Sequence, residues 1–194
     1  IHGIEKQTTK ETADQIQQGI AKEILRFHVL ANSDSEEDQK LKLEVKDRLV
    51  DYMKDILDGA EDVKETKKRI TENQETICLV AEQEIQKQGY TYPVSVNLEK
   101  CYFPMKTYGD CTFPAGTCEA LRVCIGKAKG RNWWCVLYPG LCFADSVNVI
   151  VPDEKKQELK NILTEEEYES LFDWREDDYQ IRSGFLRLWR KLFA

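Results

Sequence analysis

Histidine is almost missing from these 194 residues, with only His2 and His28 present. With so few imidazoles, and no C-x-x-C among the cysteines, the chain lacks the ligand spacing of zinc ribbons and of thioredoxin-type redox sites. Long apolar runs are absent too. The longest uncharged stretch, Asn132 to Ala144, has 13 residues and is broken by Pro139 and Gly140, whereas a bilayer-spanning helix takes about 20 apolar residues. Positive charge is in deficit: 28 Lys and Arg stand against 35 Asp and Glu, a net charge of −7. That is the wrong sign for holding phosphate backbones, so nucleic acid is not an expected partner. G-x-S-x-G, H-E-x-x-H and G-x-x-x-x-G-K-[ST] do not occur, and Gly126-Lys127-Ala128-Lys129-Gly130 has glycines without the phosphate-loop spacing. No cofactor and no metal are expected.

What is present points to a folded α+β chain. Hydrophobic residues make up 41%, with 7 Phe, 8 Tyr and 4 Trp, enough for a packed core in one domain. Charge is unevenly placed: residues 153–178 carry 4 basic and 11 acidic groups, and residues 179–194 carry 4 basic and none acidic. This contrast separates a single α+β domain over 1–152 from a helical C-terminal extension over 153–194, acidic and then basic-amphipathic.

The periodicities set out the elements. Ile16, Ile20 and Ile24 form one stripe of an N-terminal helix, and Ile24 to Ala31 reads as a strand that ends in the turn formers Asn32, Ser33 and Asp34. Ser35 and Asp38 resemble a capping box, and the spacing of Leu41, Val45, Leu49, Tyr52 and Ile56 predicts a long helix that stops at Gly59. A second helical stretch runs from Glu61 to Gln88, with a bend over Thr71 to Thr76. Period-2 alternation then predicts strands at Val94 to Phe103 and at Thr117 to Ile125, and Gly126 to Gly130 reads as a hairpin turn into Asn132 to Tyr138. The sheet is therefore expected to be antiparallel-rich. Asp153 to Leu163 and a box at Thr164 and Glu167 begin the extension, and Ile181, Phe185, Leu188, Trp189 and Leu192 form its last apolar stripe.

Six of the seven cysteines lie between Cys101 and Cys142. Disulfides rank ahead of plain thiols, and metal ranks last. Alternation puts Cys101, Cys118, Cys124 and Cys135 on one sheet face if the strands pair in sequence order, which makes cross-strand disulfides feasible. Cys135 and Cys142 form the best candidate pair, because Pro139-Gly140 lets the chain reverse between them. Closing so short a loop contributes about 2 to 3 kcal/mol. The opening residue, Ile1 rather than Met, leaves room for an N-terminal signal or anchor ahead of it.

Three features invite a functional reading. His28, with Asn32 and Asp34 after it, could form an acid–base site, although a structural imidazole beside turn-forming residues is the stronger reading. Adjacent Trp133 and Trp134, after Asn132, must point to opposite faces of a strand, so one of them is either an interface anchor or packed under a neighbouring element. The stripe of Phe185, Leu188, Trp189 and Leu192 could dock on its own sheet, in a partner's groove, or on a membrane surface.

Two blocks resemble a known family. Arg26-Phe27-His28-Val29-Leu30-Ala31-Asn32-Ser33-Asp34-Ser35, then Asp38-Gln39 and Leu41-Lys42, is similar to the opening signature of the stage II sporulation protein R family. Tyr102-Phe103-Pro104, Thr107-Tyr108-Gly109, Pro114-Ala115-Gly116, Glu119-Ala120-Leu121-Arg122, Asn132-Trp133-Trp134-Cys135-Val136-Leu137 and Leu141-Cys142-Phe143 follow its later half in order. The chain departs from the family at Tyr138-Pro139-Gly140, where Phe-Pro-Pro is common, and in its extra cysteines at 101, 111, 118 and 124. The resemblance implies a non-enzymatic signalling protein of endospore formers, secreted from the forespore into the space between forespore and mother-cell membranes. It implies as partner the membrane-bound aspartic protease that processes pro-sigma-E. On this reading Asn132, Trp133 and Trp134 form the first candidate binding patch, and Phe185 and Trp189 the second, with membrane-surface contact through the C-terminal helix. The competing readings are an extracytoplasmic hydrolase using His28 and Asp34 or a reactive cysteine, and a membrane-surface binding module.

Overall fold

The computed structural model describes residues 2–143 and 150–172. Its elements in chain order are α1 (His2–Glu23), β1 (Leu25–Leu30), α2 (Glu36–Leu57), α3 (Val63–Glu72), α4 (Gln74–Lys87), β2 (Val94–Phe103), β3 (Lys106–Tyr108), β4 (Cys111–Phe113), β5 (Gly116–Ile125), β6 (Asn132–Tyr138), a 3₁₀ turn at Leu141–Phe143, α5 (Asp153–Ile162) and α6 (Glu165–Ser170). This is an α+β architecture: a four-stranded mixed sheet in the order β2-β5-β1-β6, with β3 and β4 as a separate hairpin.

The strand order differs from the sequence expectation in one respect. β5 and β6 do not form a hairpin, because β1 lies between them, parallel to β5 and antiparallel to β6. The glycine-rich segment Gly126–Gly130 instead crosses over the end of β1, where the Gly130 N–H donates to the Ala31 carbonyl at 2.9 Å. A further consequence concerns Cys135. It pairs with Phe27 across β1–β6, which puts it on the face covered by α2 and α4 and not beside Cys101, Cys118 and Cys124.

Every residue of β1 is buried, as a central strand covered on both faces must be. Phe27 and Val29 meet Leu121, Val123, Val96 and the apolar stripes of α2 and α4. The α2 stripe consists of Leu41, Val45, Leu49, Met53 and Leu57, with Tyr52 and Ile56 at its margin. The second helical stretch splits at Asn73, whose Nδ2 donates to the Arg69 carbonyl at 2.8 Å and whose Oδ1 accepts from the Tyr52 hydroxyl at 3.3 Å. Such local competition by an Asn side chain for backbone partners ends a helix.

The opposite sheet face carries a second core. Ile20 and Ile24 of α1 pack there with Phe103, Phe113, Ala120 and Val136, joined by Leu159, Leu163 and Leu171 from the C-terminal segment. That segment is tied on by the Thr112 N–H donating to the Leu171 carbonyl at 2.7 Å and by Lys156 paired with Asp110 at 2.5 Å. Arg26 is 1% exposed within this core. Its guanidinium lies 4.4 Å from the Phe103 ring centroid and 5.4 Å from that of Phe113, so ring faces replace part of its lost hydration. Burial lowers the Arg26 pKa, with Tyr108 opposing that shift.

Candidate partner-binding surface

The turn after β1 is built around one buried carboxylate. Ser35 caps α2 by accepting the Asp38 N–H at 3.2 Å, but the Asp38 side chain does not return to close a capping box. It accepts from Asn32 Nδ2 at 2.8 Å and from the Ser33 hydroxyl at 2.5 Å. Burial alone would raise the Asp38 pKa; hydrogen bonds from Ser33, Asn32 and Tyr92 outweigh it and hold the carboxyl below its ordinary value. Asp38 is the hub of the turn's hydrogen bonds, a role beyond the capping position its spacing from Ser35 predicts. A cluster of Asn, Ser and Asp ahead of a buried Asp is the signal that could have found it.

The same turn grips the β5–β6 connection. Asn32 Oδ1 accepts the Lys127 N–H at 3.0 Å, and Asp34 Oδ1 accepts the Arg131 N–H at 2.7 Å. From the other side, Lys42 Nζ donates to the Arg131 carbonyl at 3.1 Å. Gly130 fits because a Cβ there would lie 2.1 Å from the Ser33 carbonyl oxygen. Gly126 needs its freedom for a second reason, a φ of +57°. The consequence is positional: Asn32 and Asp34 fix the residue from which β6 begins, Asn132.

Trp133 and Trp134 then project to opposite faces of β6, as a strand requires. Trp133 meets Phe27 edge-on at 5.6 Å between ring centroids, with Lys46 Nζ 5.1 Å above its ring. Trp134 stacks on His28 at 4.9 Å and 21°, and meets Phe103 at 4.8 Å. Both indoles and Asn132 are half-buried, so each has one side packed on the chain and one side open. β6 is an edge strand, and the Cys135–Cys142 disulfide, with Cα atoms 5.7 Å apart, ties the turn that follows it to the strand.

His28 is 4% exposed and sandwiched between rings, and neither ring nitrogen has a hydrogen-bond partner among the described residues. Burial, reinforced by the positive charges of Arg122 and Arg26 and opposed by Glu99, lowers its pKa to about 4. The neighbouring Arg122 is paired to Glu99 at 2.8 Å. Asp34 faces Arg131 and Gln39, so the structure does not bring His28 and Asp34 together. Four of the free cysteines are not activated as nucleophiles either. Burial pushes the thiols of Cys78, Cys101 and Cys118 up, and that of Cys111 up to about 12. Among the described residues no cluster of His, Cys, Asp and Glu could hold a metal ion, and no helix is long and apolar enough to cross a membrane. Phe185 and Trp189, with the rest of the last stripe, lie outside the described residues.

A sequence profile of the stage II sporulation protein R family matches residues 21–148. The chain belongs to that family. It is 33% identical over 174 residues to stage II sporulation protein R of Bacillus subtilis (strain 168), an alignment covering 87% of this chain and 76% of that one. No solved structure matches it. The matched segment holds the whole sheet, helices α2 to α4, the Asp38-centred turn and the two tryptophans, and ends before α5.

Proposed function

We propose that this protein is a secreted sporulation signal that switches on the membrane-bound aspartic protease processing pro-sigma-E, acting from the space between the forespore and mother-cell membranes. It turns over no substrate of its own. The signal lies in residues 1–152, with 153–194 as an extension, and Asn132, Trp133 and Trp134 form the contact patch. One observation carries this reading: the family's signature turn spends its polar side chains on anchoring the start of β6, while the histidine in that signature is stacked between rings with no hydrogen-bond partner among the described residues. A polar network that fixes one half-exposed aromatic edge suits recognition better than catalysis. Activation requires the patch to bind the protease's active state more tightly than its resting state.

The test is pro-sigma-E processing by cells or membranes that hold the protease, supplied with wild-type protein or with Asn132→Ala, Trp133→Ala and Trp134→Ala variants. Circular dichroism and thermal unfolding serve as the fold control. At least one tryptophan variant should unfold normally and lose processing, and Phe185→Ala with Trp189→Ala tests the second patch in the same assay. Full processing by all of these folded variants would rule the contact patch out. Turnover of a substrate by the purified chain would rule the signalling role out.

A further inference from the structure

We propose that Cys101 and Cys118 form a second disulfide, across strands β2 and β5, in oxidising surroundings. The two residues stand directly opposite each other in the antiparallel β2–β5 ladder. Opposed residues share a face with Cα atoms about 4.5 to 5.5 Å apart, inside the roughly 4.4 to 6.8 Å that a disulfide spans. Both thiols are free here: Cys101 Sγ lies 3.8 Å from the Glu99 carbonyl oxygen, and Cys118 Sγ accepts a long hydrogen bond from Gln17 Nε2 at 3.9 Å. Rotation about the two Cα–Cβ bonds is the movement needed. The other free cysteines lack this arrangement, since Cys124 opposes Ser95 and Leu30, Cys111 opposes Tyr108, and Cys78 is on α4.

Position also favours the pair. β2 is an edge strand and Cys101 is half-buried, so an external oxidant reaches it first, whereas Cys118 is 5% exposed and is reached through Cys101. The oxidant is a disulfide donor, either oxidised glutathione or a thiol oxidoreductase. The Cys101 thiolate attacks one donor sulfur and releases the other as a thiol. The Cys118 thiolate then attacks Cys101 Sγ and releases the second donor thiol. Two protein thiols thus lose two protons and two electrons, and the donor disulfide gains them. The closed loop contains the whole β3–β4 hairpin, whose Tyr108 and Phe113 pack around Arg26. With Cys135–Cys142 at β6, both edge strands of the sheet would be tied. Because burial raises both thiols, oxidation proceeds through a small thiolate fraction and speeds up with rising pH.

The test uses the full chain, reduced and then held in oxidised glutathione at mildly alkaline pH. Free thiols are blocked with N-ethylmaleimide and the unreduced digest is mapped by mass spectrometry. The expected products are one peptide pair joining Cys101 to Cys118 and one joining Cys135 to Cys142, with Cys78, Cys111 and Cys124 alkylated. In the Cys118→Ser variant, Cys101 should appear alkylated or glutathionylated. Proteolysis between residues 104 and 115 should slow several-fold on oxidation of wild type and not at all in Cys101→Ser/Cys118→Ser. Alkylation of both cysteines beside an intact Cys135–Cys142 bond, glutathione retained on Cys101 in the wild type, or Cys118 joined to Cys111 would each overturn the proposal.

Discussion

Replacing His28 by Phe should flatten the pH dependence of stability between pH 5 and pH 7. In the fold the imidazole has a pKa of about 4, lowered by burial and then by Arg122 and Arg26, whereas an unfolded histidine titrates near 6.5. Between these values the unfolded chain binds the extra proton. The neutral ring therefore stabilises the fold fully above about pH 6.5, progressively less as pH falls, and not at all below about pH 4. At about 1.36 kcal/mol per pKa unit the full depth is about 3 kcal/mol, of which about 2 kcal/mol is gone by pH 5. Asp38, Glu84 and Asp110 are held below their ordinary carboxylate values, so they stay ionised in the fold at pH 5 and lose their contributions in more acid solution. The assay is urea unfolding followed by tryptophan fluorescence, since Trp134 stacks on the titrating ring. With a slope of roughly 2 kcal/mol per molar urea, the wild-type midpoint should fall about 1 M further than that of the variant between pH 7 and pH 5. His28→Gln provides a second variant of different shape. Parallel midpoints for wild type and both variants would show that His28 is not buried in the neutral form, and would reopen its reading as a base.

The elements with strong local patterns were legible in the sequence. Helix α2 announced itself through four-residue spacing and Ser35, and α6 through its box, in which Thr164 accepts the Glu167 N–H and Glu167 Oε2 accepts the Thr164 N–H. Strand order was not legible, because the parallel β1–β5 pair joins segments far apart in the chain and leaves no local trace. Gly126 to Gly130 has the chemistry of a hairpin turn, but the β1 backbone fills the slot between the strands it connects. The buried Arg26 was hidden for a similar reason. Its role follows from ring faces supplied by β2 and β4, which no spacing around residue 26 encodes. At the candidate site the tryptophans, the turn residues and the Cys135–Cys142 pair could be named in advance. What could not be seen was that Asn32 and Asp34 reach across to Lys127 and Arg131, the contact that makes a turn signature and an aromatic edge one unit.

That unit gives a contrast between two glycines. Gly130→Ala sets a methyl group 2.1 Å from the Ser33 backbone oxygen and should cost about 2 kcal/mol, whereas Gly19→Ala meets a side chain, the Glu167 carboxylate that closes the α6 capping box and can rotate away at the expense of that cap, and should cost no more than about 1 kcal/mol in the same urea titration. Asp38→Ala leaves the Asn32 and Ser33 donors without their acceptor and should cost about 2 to 3 kcal/mol at pH 7. The difference from wild type should narrow as pH falls below the ordinary carboxylate range of about 4, because there the unfolded carboxyl takes up a proton that the native one, held lower, still refuses; a constant difference would show that the charge is not what matters. The Cys135–Cys142 bond closes a short loop, so Cys135→Ser/Cys142→Ser should lower stability by about 2 to 3 kcal/mol. Cys142 Sγ lies 3.1 Å from the Val136 carbonyl, so the bond also seats the Leu141–Phe143 turn against the edge strand. Reducing wild type should therefore cost as much as the double substitution, and should leave that variant unaffected so long as Cys101 and Cys118 are kept as thiols throughout. If the reductant shifts both midpoints equally, the stabilising bridge lies elsewhere in the chain, and β6 is held at its far end by packing alone.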